Sequence, residues 1–199
     1  IQNFPTRLVG YSLTTGSWQP LYRTDDGGLT WTLKTVLHRV TRISFANDSV
    51  GFAFGNSSER FIYRTTNSGL LWDTMTQAGG DTNFFVQLCA TSASTIFGRT
   101  SNNKAIFKST NGGVSWVRTQ LPGIKTNVYA HFLNPLTGWI CGDSGKVART
   151  TDGGAAWQIS AIPTTSAVLR IQFINTANGW LLTANGKMYS SDDGGANWI

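Results

Sequence analysis

The stretch RTTDGGAAW (149–157) decides how this chain is read, because the chain repeats it. Its counterparts are RTDDGGLTW (23–31), RTTNSGLLW (64–72), KSTNGGVSW (108–116) and SSDDGGANW (190–198). Their final tryptophans follow one another at intervals of 41, 44, 41 and 41 residues. A segment that returns at such an interval marks a stack of like units, and this period matches one four-stranded propeller blade. A second landmark keeps the same phase: an apolar strand ends in phenylalanine, and a Gly-aromatic pair follows six residues later. The instances are Phe4 with Gly10-Tyr11, Phe45 with Gly51-Phe52, Phe132 with Gly138-Trp139 and Phe173 with Gly179-Trp180. In the third repeat, Leu88 stands at the phenylalanine place and Ser94-Thr95 replace the Gly-aromatic pair.

Each repeat reads as four short strands. In the second, Thr41–Ala46 alternates, Val50–Gly55 is nearly all apolar as for a strand covered on both faces, Arg60–Thr65 alternates, and Leu71–Thr76 is polar and outermost. Asn47-Asp48-Ser49, Gly55-Asn56-Ser57 and Asn67-Ser68-Gly69 are the turns between them. No segment carries a helical apolar period. The expected fold is therefore an all-β propeller, one domain over 1–199, with repeats near 1–35, 36–78, 79–121, 122–162 and 163–199. Ile1–Phe4 reads as the tail of a first strand and Trp198-Ile199 as the start of a fourth. That points to a larger parent with more blades, and the lack of an initiator Met or signal-peptide pattern to a mature or excised piece.

The repeated turn has the form Ser/Thr-x-Asp-x-Gly-x-x-Trp. It is met by Thr24, Asp26, Gly28, Trp31; Thr65, Asn67, Gly69, Trp72; Ser109, Asn111, Gly113, Trp116; Thr150, Asp152, Gly154, Trp157; and Ser191, Asp193, Gly195, Trp198. A short carboxylate or amide accepts backbone N–H bonds within a tight turn, glycine permits positive φ, and tryptophan folds back onto the blade. Asn67 and Asn111 keep the acceptor and drop the charge, which suits a structural turn and not a general acid or a metal ligand. These residues resemble the Asp-box, or bacterial neuraminidase repeat. The fuller blades GWICGDSGKVARTTDGGAAW (138–157) and GWLLTANGKMYSSDDGGANW (179–198) resemble those of the photosystem II assembly and stability factor family. The resemblance implies a non-enzymatic propeller that holds other proteins or exported complexes, with its Asp-boxes on the periphery and no cofactor.

Composition narrows the partners. Charged residues are 13% of the chain and the net charge is +6, spread without a basic run. Such a surface suits an extracytoplasmic all-β protein and permits an acidic protein partner without calling for nucleic acid. No stretch is apolar for the length a membrane helix needs. Cys89 and Cys141 lie in apolar stretches and read as free buried thiols, and no His/Cys set has zinc spacing, so no metal site is expected. The residue before each Asp-box is Arg23, Arg64, Lys108, Arg149 or Ser190, so four cations share one place in successive blades. They form a possible binding arc, or they cover apolar surface of the neighbouring strand.

The rival class is a glycan-active module, a lectin-like binder or a sialidase-type glycosidase. A sialidase would show Arg-Ile-Pro; the nearest string is Arg42-Ile43-Ser44, and Glu59 is the sole glutamate. Two-carboxylate hydrolysis needs a facing acid pair. Outside the boxes only Asp48, Asp73, Asp81, Asp143 and Glu59 remain, with Asp25 and Asp192 beside the boxes. GGDTN (79–83) opens no helix and so is no phosphate loop, and Gly142-Asp143-Ser144-Gly145 falls in a predicted hairpin turn.

Overall fold

The computed structural model describes residues 2–16, 18–55, 61–76, 85–100, 105–120, 123–124 and 129–199. They form five separate sheets, one per repeat. The first blade holds β1 (Gln2–Asn3), β2 (Gly10–Leu13), β3 (Trp18–Thr24) and β4 (Thr32–His38). The second holds β5 (Val40–Phe45), β6 (Gly51–Gly55), β7 (Phe61–Thr65) and β8 (Asp73–Thr76), within two residues of the predicted bounds. The third holds β9 (Phe85–Ala90), β10 (Ile96–Thr100), β11 (Ala105–Ser109) and β12 (Val117–Gln120). The fourth holds β13 (Tyr129–Phe132), β14 (Gly138–Cys141), β15 (Lys146–Thr150) and β16 (Gln158–Ala161), and the fifth β17 (Val168–Phe173), β18 (Gly179–Thr183) and β19 (Met188–Ser191). Strands lie in chain order within each sheet, and the assigned ladders are antiparallel. Ile199 exchanges both backbone hydrogen bonds with Ser190, at 2.8 and 3.0 Å, so the fifth blade begins its fourth strand. The only helical turn among the described residues is Asp143–Gly145, which closes the β14–β15 hairpin.

Contacts divide the chain into two compact units, residues 1–101 with 108–117 and residues 102–107 with 118–199. Each unit has a core sandwiched between successive blades. In the first unit, Tyr11, Leu13, Leu21 and Leu37 of the first blade meet Ile43, Phe45 and Ala53 of the second. In the second unit, Trp139, Cys141 and Val147 of the fourth blade meet Ile171, Phe173 and Leu181 of the fifth. At the centre of each, rings lie face to face: Tyr11 on Phe45 at 3.4 Å and Trp139 on Phe173 at 3.7 Å between centroids, each pair 3° from parallel. Cys141 is buried, its thiol donating to Val168 O at 3.7 Å, and Cys89 is half-buried.

The glycine of the Gly-aromatic pair follows from this stack. A Cβ on Gly51 would lie 2.5 Å from the Phe45 ring, one on Gly179 2.6 Å from Phe173, and one on Gly138 would overlap Phe132. Only glycine lets the ring lie on the adjacent strand. The same ring turns an edge-on contact to the tryptophan of its own blade, at 6.0 Å for Phe4–Trp31 and Phe45–Trp72 and 5.9 Å for Phe173–Trp198.

The third blade corrects the reading of its own landmark. The turn bonds Ala46 N–H to Val50 O, Leu133 N–H to Thr137 O and Ile174 N–H to Asn178 O have their counterpart in Thr91 N–H to Thr95 O. Ala90, not Leu88, therefore holds the phenylalanine place, and Ile96-Phe97, not Ser94-Thr95, the Gly-aromatic place. Ala90 faces Ile96 as Phe45 faces Gly51. Bulk has been exchanged across the pair: isoleucine fills what the ring fills elsewhere, within van der Waals reach of Gly113. A second ring, Phe85, lies on Gly98 and reaches Trp116 at 5.0 Å.

That exchange makes a prediction for the fourth blade. Phe132→Ala should cost about 3–5 kcal/mol by denaturant unfolding, and Gly138→Ile about 3 kcal/mol from overpacking. The double variant, copying the third blade, should recover at least about 2 kcal/mol relative to the sum. Simple additivity of the two losses would show that the ring and the glycine do not share one space.

Candidate functional site

The five repeated turns close on themselves. Thr24 Oγ1 accepts the N–H groups of Asp26 (3.3 Å) and Gly28 (2.8 Å) and donates to Asp26 Oδ1 (2.6 Å), which accepts the Thr30 N–H at 2.9 Å. The same bonds join Thr65, Asn67, Gly69 and Leu71, and Ser109, Asn111, Gly113 and Ser115. They recur for Thr150, Asp152, Gly154 and Ala156, and for Ser191, Asp193, Gly195 and Asn197. Asparagine and aspartate make the same contacts, so the position supplies an acceptor and not a charge. The glycine sits at φ +98° in the first turn and +92° in the fourth, a region that excludes most side chains. The indole N–H of Trp31, Trp72, Trp116 and Trp198 donates to the carbonyl of its own box glycine at 3.0–3.1 Å. Trp157 is the exception, its Nε1 buried without an acceptor.

These bonds hold the carboxyls of Asp26, Asp152 and Asp193 below the usual carboxylate range. The first cause is the Thr24 hydroxyl for Asp26, the Ala156 N–H for Asp152 and the Asn197 N–H for Asp193.

The four cations of the predicted arc sit one residue before the end of the third strand in four blades, and all are half-buried. Arg23 lies over the Tyr11 ring at 5.7 Å, Lys108 over Phe97 at 5.5 Å and Arg149 over Trp139 at 5.8 Å. Cross-strand pairing sets this up, since Arg23 faces Tyr11, Arg64 faces Phe52 and Arg149 faces Trp139. The arginine heads reach the next blade's turns. Arg23 Nη1 donates to Asp48 O at 2.9 Å, Arg149 Nη2 to Thr176 O at 3.4 Å, and the Arg64 guanidinium lies against Gly112. The Nε of Arg64 and of Arg149 is buried without an acceptor. Arg149 also borders a cleft of about 410 Å³ lined by Gln158, Ile159, Ser160, Gly195 and Ala196.

Two further links were not anticipated from sequence. The polar tip of the stacked aromatic joins the next blade's turn: Tyr11 Oη–H to Asp48 O at 2.6 Å and Trp139 Nε1–H to Gly194 O at 2.8 Å. The residue before the phenylalanine place clips the next inner strand. Asn3 Oδ1 accepts the Phe45 N–H, Ser44 Oγ accepts the Ala90 N–H, and His131 Nε2 meets Phe173 O at 3.1 Å. Burial pushes the His131 imidazole below its ordinary pKa, which keeps it neutral. The available signal was a polar residue recurring in an otherwise apolar strand.

The described candidate carboxylates belong to three different elements. Asp48 lies in the β5–β6 turn, Asp73 opens β8 and Asp143 lies in the β14–β15 turn, while Glu59 and Asp81 fall outside the described residues. Arg42 donates to its neighbour's carbonyl, Thr41 O, and Ile43 is in the first core. GGDTN falls outside the described residues. Among the described residues there is no cluster of three metal-ligating side chains, and no helix is long and apolar enough to cross a membrane.

No protein-family model matches this chain, and no curated protein matches it either. Solved structures match in shape. One described as YCF48 bound to D1 peptide superposes over 100% of this chain and 78% of its own length, with a TM-score of 0.55 and 18% identity. An ancestral GH74 enzyme superposes over 98% of this chain and 30% of its own, at 0.67 and 18%. The WD40 β-propeller domain of Doa1 superposes over 100% and 66%, at 0.68 and 10%. The fold is thus that of β-propeller blades.

The carboxyl pKa values give a pH prediction. Each of the three aspartates binds its proton more weakly folded than unfolded, so its contribution is complete above about pH 5 and drains away as pH falls below that. Replacing Asp26, Asp152 and Asp193 together by Asn, as the second and third turns already do, should flatten the fall in Tm between about pH 5 and pH 2.5. Parallel Tm-versus-pH curves for variant and wild type would show that these carboxylates carry no acid sensitivity.

Proposed function

We propose that this chain is a non-catalytic propeller of the Asp-box kind that binds an acidic protein segment outside the cytoplasm and supports an assembly. The observation that carries this reading is the row of cations, each at one place in its blade and three of them lying over an aromatic ring. Rings and turn carbonyls hold the long side chains in one pose, which lowers the entropy lost when an anion arrives. Arg149 shows how one would be received: it borders an open cleft of about 410 Å³ that offers Gln158 as a further polar partner. A low share of charged residues with a +6 balance fits recognition of acidic groups on an otherwise quiet surface. That a propeller of this fold has been solved with a peptide bound supports a protein segment as the partner class. The alternative, a glycan-active module, draws on the shape shared with the GH74 enzyme. It lacks a carboxylate pair placed for the chemistry among the described residues.

Calorimetric titration with Asp/Glu-rich peptides tests the proposal. Affinity should fall about tenfold or more between about 50 and 300 mM salt, as exposed charge pairs are screened. R64Q/R149Q should lose about tenfold while remaining folded by circular dichroism. A folded double variant that keeps full affinity would remove the arc from the binding surface, and binding of neutral oligosaccharides in its place would favour the glycan reading.

A further inference from the structure

The four arc cations are not equally supplied with counter-charge. Arg23 makes four hydrogen bonds: Nε and Nη2 donate to Asp25 Oδ1 at 2.8 and 2.5 Å, and Nη1 donates to Tyr11 Oη at 3.1 Å and to Asp48 O at 2.9 Å. Its charge is met within its own blade by Asp25. Arg64 faces Asp73 directly across the β7–β8 ladder, so its own sheet places a carboxylate beside it. At the same register Arg149 faces Gln158, and the place of Asp25 is held by Thr151. Neither carries charge, and among the described residues no carboxylate lies within ion-pair distance of Arg149. Its single hydrogen bond among those residues runs from Nη2 to Thr176 O, at 3.4 Å. Lys108 lies over Phe97, and the residue after its box tryptophan, at the place of Asp73 and Gln158, is Val117, whose side chain donates no hydrogen bond.

Shape sets Arg149 apart as well. The cleft that it borders lies between the outer strand of the fourth blade and the Asp-box turn of the fifth, within one compact unit. Ser160 Oγ–H donates to Gly195 O at 2.7 Å and ties the two walls together. What the walls offer is the guanidinium, the Gln158 amide, and the apolar side chains of Ala196 and Ile159, the latter 52% exposed. A charge in a partly walled space meets an incoming anion more strongly than one on open surface. A guanidinium matches a carboxylate in its planar fork, and the Gln158 amide adds a further donor.

We infer that the anion-binding place of the arc is the Arg149–Gln158 cleft alone, and that it takes the carboxylate of a glutamate or aspartate flanked by apolar residues, which lie against Ile159 and Ala196. Arg23 and Arg64 belong to the blade junctions, their charge met inside the chain. The assignment rests on the proposed binding of an acidic segment and gives that segment its contact point.

Calorimetric titration of the chain with a capped Leu-Glu-Leu-Glu-Leu peptide, and with the same peptide carrying Gln for Glu, tests this. The glutamate peptide should bind at least about tenfold more tightly than its control, as a charge-assisted pair requires. R149Q should lose about tenfold, and R23Q and R64Q under about twofold. Q158D, which gives the fourth blade the carboxylate that the second has in Asp73, should lose as much as R149Q. Gln158 is exposed, so Q158D keeps the fold and decides the matter even if R149Q does not fold. Equal losses in R23Q, R64Q and R149Q would overturn the assignment to one cleft and leave the acid-binding reading standing, as would Q158D that binds like wild type. Equal affinity for the two peptides, or binding of neither, would overturn both.

Discussion

Phe45 and Phe173 each lie between a glycine of their own sheet and an aromatic ring of the preceding one, and that three-layer contact governs the rest of the architecture. A four-stranded sheet with two apolar faces cannot hide both alone. Laying a ring flat on the adjacent strand requires glycine there, and presents a flat surface on which the next aromatic can stack with little gap. The apolar second strand follows, buried along its whole length in β6 and β14. So does the tryptophan at the turn, which closes the exposed edge of the same ring.

The polar features serve the same junction. Asp26 and its equivalents bond to their own turn, fixing the loop on which the tryptophan depends. The aromatic tips and the residues before the phenylalanine reach across to the next blade, satisfying backbone groups that burial would otherwise leave costly. The stems of the arc cations and the rings beneath Arg23, Lys108 and Arg149 belong to the blade junction.

Much of this was legible in the sequence. The period, the strand positions and the turn chemistry could be read because each rests on residues within one repeat. Across the third blade the reading slipped by two residues, since it searched for glycine beside an aromatic and the blade instead exchanges bulk between Ala90 and Ile96. Only the backbone bonds of the turn reveal that frame. The junction links were harder still: Asn3 and Phe45, or Trp139 and Gly194, are about one repeat or more apart, and nothing local says that they meet. The candidate site was legible as a row of cations and illegible as geometry, because the rings beneath them come from another strand.

The account stands or falls on whether the next blade supplies the stabilisation. Trp139 and Trp180 offer a matched pair, the same residue at the same place in consecutive blades, one stacked and fully buried, the other exposed. Denaturant unfolding of Trp139→Ala and Trp180→Ala, at a dilution where the chain is monomeric, compares them directly. Stacking between blades predicts a loss of about 3–5 kcal/mol for Trp139→Ala and under about 1 kcal/mol for Trp180→Ala. Equal losses would mean that the tryptophan stabilises its own blade, and the junction would no longer be the element on which the fold depends.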